Sequence, residues 1–588
     1  MKAVLKWIAI IVAILIIIVI VLPFVINVNT FRPRIESELT NALGRQVTLG
    51  NLRLSLWSGS LAADNIAIAD DPSFSNAPFI KAQTLDVGVN MIPLIFSKTL
   101  EVRDITLTHP QVMLLRTPEG KWNFSSLGTK PGAESNTSAT KPAAAEKKTA
   151  KSVETKPSPQ PPHSSQPASA PSPENQTSSE QSLEQNLSVS KLRIQGGQIS
   201  VGGGVNARGR MRTYNNVDVE VKNFSFTSQF PFTLSAELPG GGTAKLEGTG
   251  GPINRSDTSL TPLQAKIDVK GLDVAQSGFI DPSSGLGGIV NFAGTVESDG
   301  KQARSRGDAT ADKLKLSPKG TPAQRTISMK YTTTYELLKQ TGELQGDVSV
   351  VKAIAKLGGA FDLRGESPTL NMKLNADNMP VDDLETLLPA FGLELPKGSS
   401  LQGGTLTADL SITGPVDQMV ITGPVKLVNT KLAGFDMGSK LSAIEALSGA
   451  KTGPDTTIQN FSSDVRYSPN GIQTKNVNLV IPALGTITGD GTVSPQNALD
   501  YKMQAALNGS VVSGLSKVAG IGAKGATIPL MIQGSASNPK FIPDVKALLG
   551  SSLGNQLQKN LGSQVPGGQN AQGVVNAIGG LFGKKKQQ

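Results

Sequence analysis

The chain has 588 residues with 62 glycines and 37 prolines, and aromatic residues make up only 4% of it; that length suits three or four domain-sized units, and the glycine content predicts many turns between short strands. The absence of cysteine removes disulfides, thiolate metal sites and Cys nucleophiles, and of the two histidines, His109 and His163, the second lies in a low-complexity stretch. His-rich metal sites and His-dependent triads therefore have at most one usable imidazole, and the composition argues against most enzyme chemistry. The net charge of +10 is spread among acidic residues, few aromatics are available to stack on bases, and no helix-turn-helix or zinc-finger spacing occurs, which argues against nucleic acid.

Residues 1–27 read as a cytoplasmic stub and a membrane anchor. Trp7 to Ile26 is uncharged and almost wholly apolar, with Trp7, Ile11, Leu15, Ile18, Leu22 and Ile26 along it. A helix of that length, at about 1.5 Å per residue, spans roughly 30 Å, the hydrocarbon thickness of a bilayer. No small-x-small cleavage site follows, so the anchor is expected to be retained. Lys2 and Lys6 favour a cytoplasmic N-terminus, although Arg32 and Arg34 follow the span. No second span appears, so the bulk of the chain is expected on one side of the membrane.

Residues 28–127 predict one helix and then strands. Ile35, Leu39 and Leu43 repeat at fourfold spacing before Gly44, which ends the helix. Leu85, Val87, Val89 and Met91 then share one face of a strand, with Asp86, Gly88 and Asn90 on the other. From 128 to 182 the only large apolar residue is Val153 in a Pro/Ser/Ala/Lys mixture, the composition of a disordered linker between two folded parts.

Residues 183–543 alternate persistently: Leu192 and Ile194, then Val217, Val219 and Val221, then Leu406, Leu410 and Ile412. Helical segments are few, around Val381–Phe391, around Leu441–Leu447 and in the tail. An internal repeat starts at Ala265, Met372 and Met503 ("AKIDVKGLDV", "MKLNADNMPV", "MQAALNGSVV") and closes on strands ending at Gly294, Gly414 and Gly534. The expected fold is therefore mostly β: an elongated, repeated, curved antiparallel sheet, groove-like, after a single transmembrane helix. One-faced alternation on this scale requires a cover for the apolar face. A closed barrel or sandwich would supply one; a gutter holding acyl chains would supply another. Met372, Leu374, Leu410, Ile412, Leu479, Ile481 and Met503 are the candidate lipid-facing residues. The tail, 544–588, carries Leu549, Leu553, Leu557 and Leu561 and a second stripe ending at Leu581 and Phe582, followed by Lys584, Lys585 and Lys586. It predicts either a helix capping the β body or a basic amphipathic contact with an anionic membrane.

Candidate catalytic patterns fail on context. Asp70 and Asp71 are adjacent, so in a strand they point to opposite faces, and "DDPSF" is turn chemistry. Asp382 and Asp383 stand near a helix start as capping and dipole partners. Gly550–Gly554 matches Gly-x-Ser-x-Gly without the strand the elbow requires, and Gly520–Gly525 matches a dinucleotide fingerprint in the wrong strand–helix order. His109, before Pro110, reads as a partly exposed turn residue. Trp122 beside Asn123 is either a packed corner or an interfacial anchor.

A near-N-terminal anchor followed by "LGRQVTLGNLRLSLWSGSLAADNIAIADDPSF", "LEVRDITLTHPQVMLLR" and "PEGKWNF" resembles the AsmA family of Gram-negative envelope proteins. The resemblance rests on Gly44 and Arg45, on Ile68–Ala69–Asp70 with Pro72, and on Gly120 with Trp122 and Asn123. "LQGGTLTADLSITG" and "NVNLVIPALGTITGDGTVS" extend it to the C-terminal region. It implies an inner-membrane anchor and a periplasmic β-rich body, similar in architecture to chorein-type bridge-like lipid-transfer proteins. The expected function is non-enzymatic carriage of phospholipid or another acyl-chain lipid, without a cofactor. The rival is a factor for outer-membrane protein assembly that recruits strands at its sheet edges or contacts the assembly machinery.

Overall fold

In a strand, residues two apart share a face, so the alternation above sets two unlike faces before any pairing occurs. The computed structural model describes residues 28–55, 59–90, 102–117, 119–128, 188–203, 211–365, 367–441, 453–508, 527–544 and 546–547. The anchor, nearly all of the linker and the basic tail lie outside the described residues, as do both glycine-rich motif matches. Among the described residues, no helix is long and apolar enough to cross a membrane.

The described chain forms one long curved mixed sheet of 26 strands with few helices. Helix α1 (Arg32–Leu43) follows a turn of 3₁₀ helix at Val28–Phe31 and ends where Gly44 takes φ 63°, the left-handed cap that glycine adopts without cost. Its Ile35, Leu39 and Leu43 pack on Val47, Leu49, Leu52, Ala63, Ile66 and Ala82, covering the start of the sheet. Strands β1 (Val47–Thr48) and β2 (Leu52–Ser55) both pair with β3 (Ser60–Ala69), which pairs with β4 (Pro78–Val89).

The expectation of a purely antiparallel sheet is corrected at one place. Strands β5 (Val102–Thr108) and β6 (Gln111–Arg116) both run parallel to β7 (Ser188–Gly203). Parallel neighbours cannot be joined by a hairpin and need a long crossover. The tract between β6 and β7 is that crossover, so one sheet continues from the residues before the tract to those after it. Every later pairing is antiparallel and joins strands consecutive in the chain, except around the short β18 (Ser400–Gln402), which pairs with β20 (Val420–Ala433) while β17 (Thr369–Pro380) pairs past it with β19 (Thr405–Pro415).

The repeat is expressed in the backbone. In β11 (Leu263–Asp273) Gly271 has φ 68°, and in β17 (Thr369–Pro380) Asn378 has φ 50°; both are the seventh residue of their copies. Each makes a bulge that shifts the register with the next long strand. Long connections follow these bulges, at 274–285 and 381–399, and others lie at 317–326 and 434–455. Tight turns such as 299–301, 337–340, 469–470 and 536–537 occupy the other rim of the sheet.

Candidate functional site

Cross-strand register aligns the alternating faces into continuous rows. Ala236 of β9 (Phe230–Glu237) faces Ala244 of β10 (Thr243–Gly250), and the row continues through Val269, Phe292, Ala309, Met329, Val348, Ala355, Ala376, Ala408 and Val425. One residue along each strand, the opposite face carries Lys245, Asp268, Asp308, Lys330, Asp347, Lys356 and Asp409. One face is thus apolar over eleven strands, and the other carries charge along much of the same stretch. A shallow depression of about 600 Å³ on the charged face, among Lys330, Asp347, Lys356 and Lys373, has mixed charge and suits no apolar ligand.

The apolar face is not covered evenly. At the C-terminal end Leu441, Ile481, Leu484, Ile487, Ile528 and Leu530 are fully buried, a dry core. Between Leu286 and Val350, by contrast, Ala323 is the one buried apolar side chain among the described residues. Phe292, Val296, Met329, Tyr331, Leu344 and Val348 are all half-buried across β12 (Leu286–Ser298), β13 (Gln302–Leu316), β14 (Ile327–Glu336) and β15 (Thr341–Val350).

The seven candidate lipid-facing residues divide on this basis. Leu374 faces Leu410, and Met372 faces Ile412. Leu374, Leu410, Ile412 and Leu479 are half-buried, whereas Met372, Ile481 and Met503 are buried. Ile481 and Met503 belong to the dry C-terminal core. The half-buried residues of β12–β15 were not singled out from the sequence, although their alternation was visible in it. The anchor residues from Trp7 to Ile26, and Leu581, Phe582, Lys584, Lys585 and Lys586, lie outside the described residues.

The rims touch at intervals along the sheet. Tyr467 Oη, in β21 (Thr456–Ser468), donates to Leu316 O at the end of β13 over 3.5 Å. The Phe391 ring meets Tyr467 edge-on at 5.7 Å. Lys397 N–H, in the connection after β17, donates to Ser537 O in the turn before β26 (Asn538–Pro543), 2.9 Å. Arg116 Nη2, at the end of β6, donates to Leu337 O after β14, 2.9 Å. Each contact joins one rim to the other seven or eight strands further on, close to the number that closes a small β-barrel.

The residues carrying the N-terminal resemblance meet in one buried network. Asn123, 1% exposed, donates from Nδ2 to Asp70 Oδ1 and Oδ2 at 3.0 and 2.9 Å and to Met113 O at 2.9 Å, and accepts from Leu115 N–H. Arg45 Nη2 donates to Asn123 O at 3.0 Å and to Ser126 Oγ at 2.6 Å, and lies 3.3 Å from Asp71 Oδ2. Burial pushes the Asp70 carboxyl above its usual value, against hydrogen bonds from Asn123 and the Asp71 amide. Burial acts likewise on Asp71, but hydrogen bonds from Ser73 and Ser126 and the Arg45 charge outweigh it and hold Asp71 low. These carboxylates pin three distant segments together. Trp122 is a packed corner, 5.6 Å from Phe124 with the Arg116 guanidinium 5.1 Å over its ring. His109 is exposed, with φ 46° and Nδ1 3.1 Å from Gln83 Oε1.

Asp382 and Asp383 lie in the first turn of the short helix α2 (Val381–Glu385), as expected of dipole partners, but do not cap it, since its N-cap makes no side-chain bond. They accept amides of neighbouring segments instead: Gly403 N–H to Asp382 at 3.0 Å, and Lys352 N–H to Asp383 at 3.0 Å. Glu385 accepts from Leu401 N–H at 3.0 Å. Burial raises the Glu385 carboxyl above its usual value, and the nearby Asp382 charge adds to the effect.

A single sheet with a continuous apolar face and a continuous charged face defines the class: an elongated, repeated β-sheet protein. The chain belongs to the AsmA family, whose model matches residues 1–342. No curated protein and no solved structure matches it.

Proposed function

We propose that this protein is a non-enzymatic carrier of phospholipid, or of another acyl-chain lipid, held on the apolar face of β12–β15 in a groove between the two rims. In this reading the N-terminal helix anchors it in the bacterial inner membrane, and the body lies in the periplasm and serves the outer membrane. The observation that carries the reading is the half-buried apolar wall between Leu286 and Val350, where Ala323 is the one buried apolar side chain among the described residues, while the strands on either side also carry buried ones such as Val217, Val269, Ala355 and Ile481. Each methylene taken from water there contributes about 0.8 kcal/mol, so one acyl chain supplies ample driving force without catalysis. The paired carboxylates at 70–71 and 382–383 are engaged in hydrogen bonds that hold the fold, which speaks against reading either as an acid–base pair.

The rival reading, recruitment of client strands at a sheet edge, has less support. Strand β26 pairs only with β25 (Thr527–Ser535) among the described residues. Two of its six residues, Pro539 and Pro543, lack an N–H, which is how natural edges are blunted.

The test is Leu344→Asp in the full-length protein. A carboxylate on a lipid-filled wall leaves the protein folded and lowers the phospholipid that copurifies with it. Unfolding of the variant, or unchanged lipid in a folded one, contradicts the groove.

A further inference from the structure

The segment after β17 differs from the other long connections in what holds it. Helix α2 lays Leu384 on a floor of Ala353, Ala355, Ala376, Met379 and Ala408, with Leu374, Leu410 and Val425 around it. A 3₁₀ turn at Leu388–Phe391 then reaches the 317–326 connection, where Thr321 N–H donates to Pro389 O at 2.8 Å. Phe391 meets Tyr467 on the opposite rim, and Lys397 meets Ser537. Residues 381–399 therefore lie across the apolar face and along the seam where successive turns of the sheet come together. They stand between the half-buried wall of β12–β15 and the dry C-terminal core.

The attachments are slight. The helix has five residues, too few to be stable alone. Its three carboxylates accept one neighbouring backbone N–H each, and its floor is mostly alanine. Within the segment only Val381 and Ala390 are fully buried. The corresponding cover nearer the C-terminus buries three large side chains, Phe435, Met437 and Leu441, with Leu441 at 0% exposure. Of the two covers, the one at 381–399 lies on a small, mostly alanine cluster and is the one that lifts more readily.

We propose that residues 381–399 form a displaceable door in the seam, through which an acyl chain enters and leaves sideways between Phe391 and Tyr467. The proposal rests on the carrier reading and adds the place and control of exchange. With the door shut, the apolar interior is a chamber bounded at α2, not a free passage to β26. Lipid then moves in discrete loads rather than by continuous sliding.

The chain contains no cysteine, so a reversible lock can be introduced without interference. The Lys397–Ser537 backbone hydrogen bond places those residues within disulfide reach. The full-length protein carrying Lys397→Cys and Ser537→Cys is reconstituted and offered pyrene-labelled phosphatidylglycerol, oxidised and then reduced. Disulfide formation is read from the intact mass. Exchange is expected to slow about tenfold or more when oxidised, a barrier raised by ~1.4 kcal/mol, and to recover on reduction. Phe391→Ala, which removes the latch, is expected to exchange faster than the parent. Equal exchange in the oxidised and reduced protein overturns the door while leaving carriage intact. Failure of the parent to take up the probe at all overturns both.

Discussion

Gly271 and Asn378, 107 residues apart, occupy the same position in two copies of the repeat and share the left-handed conformation, with φ 68° and 50°. Each lets its strand bulge before a long connection, and the second bulge delivers the chain into α2. Asparagine adopts this conformation far more readily than a β-branched residue does. Asn378→Val is expected to cost about 1–3 kcal/mol and to loosen the segment that follows, whereas Asn378→Gly stays close to the parent. Thermal unfolding and hydrogen exchange over 381–399 measure both.

The Arg45–Asp70–Asn123 network predicts a large loss from a small change. Asn123→Leu fits the space but strips the Asp70 carboxylate of its Asn123 hydrogen bonds and leaves the Leu115 amide without its Asn123 acceptor. A cost of about 3 kcal/mol or more is expected, seen as early proteolysis between residues 44 and 128. Little change in protease resistance would show that the network is not what joins these segments.

The same network has opposed pH dependences. Asp70 titrates above its usual 3.8 in the fold, so its contribution is complete below that value and is lost as pH rises through the raised one. Asp71 titrates below 3.8, so its contribution is present above that value and is lost as pH falls through the lowered one. The N-terminal region is therefore expected to gain stability on mild acidification and lose it on strong acidification. Asp70→Asn abolishes the gain and keeps the loss, which denaturation across pH can follow.

Glu385 gives the door a related asymmetry. Its pKa is raised from 4.5, so its contribution is complete below that value and lost as pH rises through the folded one. Glu385→Gln keeps an acceptor for Leu401 N–H and removes the half-buried charge. At neutral pH it is expected to protect residues 381–399 from hydrogen exchange more than the parent does.

Charge placed on the apolar face should be felt unevenly along the sheet. Ile481 is 0% exposed, so Ile481→Asp places a carboxylate in a dry core, costs several kcal/mol and unfolds the C-terminal strands. Ile412 is half-buried but faces buried Met372, so Ile412→Asp is expected to fall between that and Leu344→Asp. Equal loss of folded protein from all three would show that the whole face is one sealed core.

Strand alternation made the β body legible in the sequence, because a face repeats every two residues and neighbouring pairs preserve it. The N-terminal helix was legible from Ile35, Leu39, Leu43 and Gly44 for the same local reason. The parallel join of β5 and β6 to β7 was not, since pairing across a long crossover leaves no local signature. The Arg45 network was hidden as well, because Asn123 lies 78 residues from Arg45. The division between half-buried wall and dry core depends on which connection folds back over which strand, and alternation is identical in both. One signal was present and unread: the seventh residue of each repeat is Gly271, Asn378 or Gly509, the residue types that accept a bulge.

The central claim, that acyl chains lie on the apolar face of β12–β15, is tested most directly by a photo-crosslinking side chain placed in cells at Leu344 or, one residue on, at Gln345. Those positions have nearly the same place in β15 and opposite faces. The account predicts phospholipid adducts at Leu344 and none at Gln345. Adducts at both, or at neither, would contradict it.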